Sequence, residues 1–343
     1  MSAVHWPLAA RIARRVAGTH PLEDTYHFAR FAQQAPFLVE RAAELAAVET
    51  GLDWSGVPAV VVVSRRNWAV SNIAGFGRLL SRAESKLEGG DGLGRRLAGR
   101  LVGAEIGALV GVLSRRVLGQ YELVVPSDDD ANGDTVMFVG GNVLAMERQH
   151  EFRPDEFRFW VALHECTHRL QFTGVPWLRG YFLELVDGLV DSSTPEPGRM
   201  QRIAGEMRAA AVEGRPIVGD SGIMGLFASP DQKALLERMQ ALMSLLEGHG
   251  HVVMDRIGAR ELVTQDRMAR VLKMRRKDPR SAAFFRLTGL EMKMRQYEMG
   301  ERFILGVERL AGFAALNAVW ESPERLPTLT EIGNPQRWLE RVG

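Results

Sequence analysis

The strongest constraint in this chain is the pentapeptide His164-Glu165-Cys166-Thr167-His168, an H-E-x-x-H pattern inside an apolar, helix-forming stretch. Residues four apart on an α-helix lie one turn above each other, so both imidazoles can reach a single metal ion. The glutamate between them points aside, where it can take a proton instead of binding the metal. The flanking residues agree with a helix. Pro154 suits a first turn, and Asp155 and Glu156 favour the positive end of a helix dipole. Phe157, Trp160, Val161, His164 and His168 recur at helical spacing, so the two histidines are expected to continue an inward apolar stripe. Gly174 and Pro176 close the segment.

A catalytic zinc takes three protein ligands and keeps one position for water. The third ligand must come from elsewhere. The extended pattern H-E-x-x-H-x-x-G-x-x-H fails, because Gln171 stands where its glycine would be and Gly174 where its last histidine would be. Glu184 is close in sequence, and Glu247, His249 and His251 form a second cluster. Glu247 shares one helical line with Met239 and Met243, and a carboxylate on the apolar side of a helix is costly unless it is paired or bound to a metal. Glu247 is therefore the expected third ligand, with His249 next in line, and Gly248 lets another backbone approach closely. His251 and Tyr297 are the candidates for steadying a developing oxyanion. Asp255 is a candidate acceptor for the second N–H of a ligand histidine.

With Glu165 as general base, this set predicts a zinc-dependent hydrolase of peptide or amide bonds. The same residues allow an alternative: a non-catalytic binding or scaffold protein with its metal absent or fully ligated by protein.

The rest of the chain reads as mainly α with a small β-sheet, an α+β arrangement. Helices are expected from Pro36 to Thr50, from Arg65, and from Pro230, where Ser229 and Gln232 form an S-x-x-Q capping signal. The β-branched run from Val57 to Val63 reads as a buried strand, and Thr135 to Val139 as a short edge strand beside the motif helix, where a peptide can add. A glycine-rich loop is expected within 79–100, and a polar insertion or lid over 191–225. Over 1–343 we expect one unit, divisible into an N-terminal helical part (1–130) and a metal-binding part (131–343). Gly103, Gly107 and Gly111 line one helix face without side chains, which in a soluble protein means a tightly packed neighbouring helix.

Lys plus Arg (43) nearly equal Asp plus Glu (42), which leaves no basic stripe for nucleic acid. The stretch Leu101 to Leu113 is too short for a membrane span. Arginines interrupt Met1 to Gly18, so it reads as an amphipathic helix. A single cysteine, Cys166, excludes an intramolecular disulfide and fits a reducing cytoplasm. It reads as a small buried hydrophobe.

The chain also resembles a known family. The marks are Arg66-Asn67-Trp68 with Asn72, Val117-Leu118-Gly119-Gln120-Tyr121 and Phe138-Val139-Gly140-Gly141-Asn142. They continue with the histidine motif, Pro176-Trp177-Leu178, Leu246-Glu247-Gly248, Lys293, Gln296-Tyr297, Gly300 and Phe303, and end with Trp320-Glu321-Ser322-Pro323 and Leu326-Pro327-Thr328. Together these resemble the zincin-like proteins of actinobacteria and chloroflexi associated with coenzyme F-420 (deazaflavin) biosynthesis. The resemblance implies a zincin-like fold. It favours Glu247 over His249, because the Glu-Gly pair belongs to the family pattern and the residue after it varies. It supplies no substrate.

Overall fold

The computed structural model describes residues 4–54, 56–86, 93–122, 134–191, 230–276 and 291–343. Two compact units divide these residues: Met1–Arg179 with His249–Arg275, and Gly180–Gly248 with Arg276–Gly343. The dividing line falls inside one continuous helix.

The first unit begins with α1 (Trp6–Ala17) and α2 (Tyr26–Thr50), followed by β1 (Ala59–Val63), α3 (Arg65–Lys86) and α4 (Leu93–Leu113). Strands β2 (Gly119–Glu122) and β3 (Thr135–Val139) come next, then α5 (Gly140–His150), α6 (Pro154–Gly174) and α7 (Leu178–Asp191), which runs into the second unit. The long helix α8 (Pro230–Glu261) is the one shared by both units, and α9 (Gln265–Arg276) follows it.

The glycine stripe of α4 lies against α1. A Cβ at Gly103 would stand 2.8 Å from the carbonyl oxygen of His5, and one at Gly111 would stand 2.8 Å from that of Ala13. A Cβ at Gly107 would collide with the Ala9 carbonyl. The two chains of numbers rise together, so the helices are parallel. Their small-residue faces close over a core of Ala9, Ala13, Ala17, Trp68, Ile73 and Val110. Among the described residues, no single helix is long and apolar enough to cross a membrane.

Helix α2 starts ten residues before the expected Pro36 and carries that proline in its interior. The buried line Phe31, Ala35, Val39, Ala42 and Ala46 runs straight through, so packing overrides the missing N–H donor. The glycine-rich loop expected within 79–100 falls partly outside the described residues, as does the whole interior of the insertion expected at 191–225.

The sheet has strand order β1-β3-β2, with β1 parallel and β2 antiparallel to β3. This reverses two expectations. Thr135–Val139 is the central strand, buried at every position, and not an edge. The β-branched run is an edge strand with Ala59 and Val61 exposed. Both runs are apolar, and only the long-range pairing decides which one is covered on both sides.

Helix α8 begins at Pro230 as expected, while its cap at Ser229 lies outside the described residues. Its C-terminal half is tied to α2. Arg256 and Arg260 each reach the Glu49 carboxylate at 2.5 Å, and Arg41 meets Glu261 at 2.5 Å.

In the second unit, the first half of α8 packs against α10 (Glu291–Ala311), where Gly300 lies on the Ser244 carbonyl and on Gly248. Further along α10, Phe303 stacks edge-on against Trp338 at 5.4 Å. The C-terminal segments close with Arg341 bonding both oxygens of Glu331 at 2.7 and 2.9 Å.

The α1–α4 contact makes a direct prediction. Gly107→Val should push the helices apart and lower stability by about 1–3 kcal/mol. Urea unfolding checks this, and an unchanged midpoint would contradict the close packing.

Candidate metal centre

Helix α6 is enclosed on nearly every side. From Phe157 to Gln171 every residue is buried except His164 and His168, which are half-buried. By helical spacing the histidines continue the line of Phe157, Trp160 and Val161, at a point where that line is only half-covered. Cys166 is fully buried, with its thiol donating to the Val39 carbonyl at 3.5 Å, and burial pushes that thiol up from its usual range. It behaves as the small hydrophobe expected.

The two Nε2 atoms of His164 and His168 face each other at 3.1 Å, with the rings edge to face. One ligand atom from each histidine and one from Glu247 all lie within 4.8 Å of one another. Two imidazole nitrogens on a tetrahedral zinc with bonds of about 2.0–2.1 Å stand roughly 3.3 Å apart. Two nitrogens and a carboxylate at this spacing fit a zinc ion in donor type and in reach.

Glu247 is buried on α8. Its neighbours explain how it gets there. A Cβ at Gly250 would stand 3.3 Å from His168 Cε1 and 3.4 Å from His164 Cε1, so this glycine lets the helix backbone lie against both rings. Gly248 faces the opposite side and takes the close approach of Gly300. Of the alternatives, Glu184 is exposed on α7. His249 is buried and its Nδ1 is 2.9 Å from Gln171 Nε2. Burial and the neighbouring His168 push its pKa down to about 3, so it is neutral.

The residue that the sequence passed over is Gln171. Its Oε1 is 2.9 Å from His168 Nδ1. Asp255, expected in that role, instead lies 3.5 Å from His251 Nε2 and accepts a bond from Gln265 at 2.7 Å. Spacing offered a signal for Gln171, since it is three residues past His168 on the same helix face. Tyr297 falls in α10 among residues whose side chains lie outside the described set.

Glu165 is buried and sits against the edge strand. The Val139 N–H donates to the Leu118 carbonyl, which makes Leu118 and Val139 a bonded pair. By alternation, Gly119 and Tyr121 turn their backbone groups away from β3. The Tyr121 N–H uses that freedom to donate to Glu165 Oε2 at 2.9 Å. A Cβ at Gly119 would come within 2.7 Å of Glu165 Oε1, so a side chain there would push this carboxylate aside. Arg169, fully buried one residue past the motif, bonds both Asp134 oxygens at 2.6–3.0 Å and the Gly56 carbonyl at 3.1 Å. Asp134 also takes a bond from the Tyr121 phenol, whose pKa burial and this carboxylate push up. One arginine thus pins the ends of all three strands to the motif helix.

Comparison with known proteins agrees with this geometry. A family profile described as zincin-like metallopeptidase matches residues 4–339. The chain is similar to a crystal structure of a candidate hydrolase with a novel fold from Chloroflexus aurantiacus, at 30% identity and a TM-score of 0.70, with 98% of each chain covered. The curated proteins offer no match.

The glycine beneath the two rings is a sensitive point. Gly250→Val should displace the imidazoles and weaken zinc binding by about tenfold or more. Competition with a chelator measures this, and unchanged affinity would place the rings elsewhere.

Proposed function

Because the chain belongs to the zincin-like metallopeptidase family, we propose that it is a zinc-dependent hydrolase that cleaves peptide or amide bonds. The observation that carries this reading is the convergence of His164, His168 and Glu247 on one small volume beside α6. These three residues would hold the zinc. When bound, zinc supplies Lewis acidity, drawing the pKa of a water ligand to roughly 7 and polarising a carbonyl.

The protein's own part falls to Glu165. Its carboxylate accepts from the Tyr121 N–H and rests on Gly119, which favours a place outside the ligand set. A carboxylate held beside the metal position, but not in it, suits a general base that takes a proton from water and returns it to the leaving amine. The outward edge of β2 meets this carboxylate at the Tyr121 N–H, so the peptide-binding edge expected at β3 is not carried over to β2. His251 lies one turn beyond Glu247 on α8 and is half-buried, which suits an oxyanion donor, and Tyr297 is a second candidate.

The scaffold alternative has its metal absent, or closed off by a fourth protein ligand. Among the described residues, the cluster within reach has three members, and His249 is already bonded to Gln171. This supports the catalytic reading. A cytoplasmic location rests on the lone thiol, and a link to coenzyme F-420 biosynthesis on the family resemblance alone.

Glu165→Gln should keep zinc at wild-type stoichiometry and lower hydrolysis of a peptide library by about 10²- to 10⁴-fold. His164→Ala should lose the zinc. Elemental analysis with mass-spectrometric product detection tests both, and an active Glu165→Gln protein would overturn the assignment of the base.

A further inference from the structure

We infer that Gln171 and His249 are positioning residues of the metal centre, with Gln171 fixing the tautomer of His168 and His249 fixing the orientation of Gln171. The inference rests on the zinc reading and deepens it.

The argument is one of hydrogen-bond direction. An amide oxygen only accepts and an amide nitrogen only donates. Gln171 turns its Oε1 to His168 Nδ1 and its Nε2 to His249 Nδ1, both at 2.9 Å. His168 therefore carries its proton on Nδ1, which leaves the lone pair of Nε2 aimed at His164 Nε2, 3.1 Å away. A flipped amide would demand the opposite tautomer, with the proton on His168 Nε2, where it excludes a cation. Because the amide nitrogen donates, His249 Nδ1 accepts, so the three side chains have two self-consistent arrangements, and one of them binds metal. Gln171 and His249 are buried to 0% and 2% exposure, which keeps water from replacing either partner.

The relay also joins helices. His168 and Gln171 stand on α6, while His249 stands on α8, two residues past Glu247.

Two substitutions separate positioning from packing. Gln171→Glu keeps an acceptor for the His168 N–H and removes the donor, so His249 must present its own Nδ1–H and only the metal-competent arrangement remains. Gln171→Leu fills the space and supplies neither bond. A purely structural role predicts that leucine is the better tolerated, because a buried carboxylate is disfavoured. Positioning predicts the reverse for zinc. Gln171→Glu should bind zinc at least as tightly as wild type, and Gln171→Leu about 10- to 100-fold more weakly.

The experiment is chelator competition for zinc on the full chain of wild type, both Gln171 variants and His164→Ala. It is paired with ¹⁵N NMR of the histidine side chains of the metal-free proteins. Support is the affinity order Glu above Leu, together with a His168 Nδ1–H signal in wild type that is lost in Gln171→Leu. Wild-type affinity in Gln171→Leu, with zinc lost in His164→Ala, would overturn the relay and leave the zinc reading intact. Wild-type affinity in His164→Ala would overturn the metal assignment itself, and the relay with it.

Discussion

The confinement of helix α6 is the constraint on which the rest of the structure depends. A helix that is apolar on one stripe has one neighbour to satisfy and some freedom to roll about its axis. In this one every residue from Phe157 to Gln171 is buried except the two half-buried histidines. Rolling would expose large apolar groups or bury an imidazole, so the rotational setting of the motif follows from packing. Its buried charges reinforce the setting. Arg158 is paired with both oxygens of Glu147 while lying over the Phe31 ring, and Arg169 is paired with Asp134. Breaking a buried pair strands a charge, which penalises any alternative position of the helix.

Each remaining part of the site is then brought to that fixed helix by a different device. The edge strand arrives through the contacts of Arg169 and offers a backbone N–H to the base. The second helix arrives through glycines and through the arginine bonds to Glu49 on α2. The two carboxylates of the site are thus sorted by their surroundings. Glu165 faces a backbone donor, and Glu247 faces the imidazoles. Two chemically similar residues acquire separate duties, one toward protons and one toward a cation.

Much of this was legible in the sequence because it is local. A helical period places His164 and His168 together without any knowledge of the fold. The proline signals mark the starts of α6 and α8, and the glycine stripe of α4 announced a close neighbour. Glu247 was legible for a different reason: an acidic group on an apolar helix line demands an explanation. What stayed hidden is long-range. Gly119–Glu122 is four residues long, too short for a periodic signal, and its importance appears only when β3 pairs with it. The exchange of roles between the two apolar strands has the same cause. Gln171 was visible and misjudged, because a pattern that required glycine drew attention away from what an amide can do. Asp255 was expected to meet a ligand histidine and stands 3.5 Å from His251 Nε2, since sequence distance says nothing about which histidine a carboxylate meets.

The run Gly248-His249-Gly250 in the middle of α8 has an implication for anyone who would engineer this protein. Glycine is among the poorest helix formers, disfavoured by roughly 1 kcal/mol per residue against alanine. Two of them within three positions make this the intrinsically weakest turn of a 32-residue helix. The usual remedy, replacement by alanine, is closed at Gly248 by the backbone of Gly300, and at Gly250 a methyl would press on the imidazole rings. Thermal hardening of this scaffold is better sought at surfaces remote from α8, since stiffening its softest stretch disturbs either the neighbouring helix or the rings.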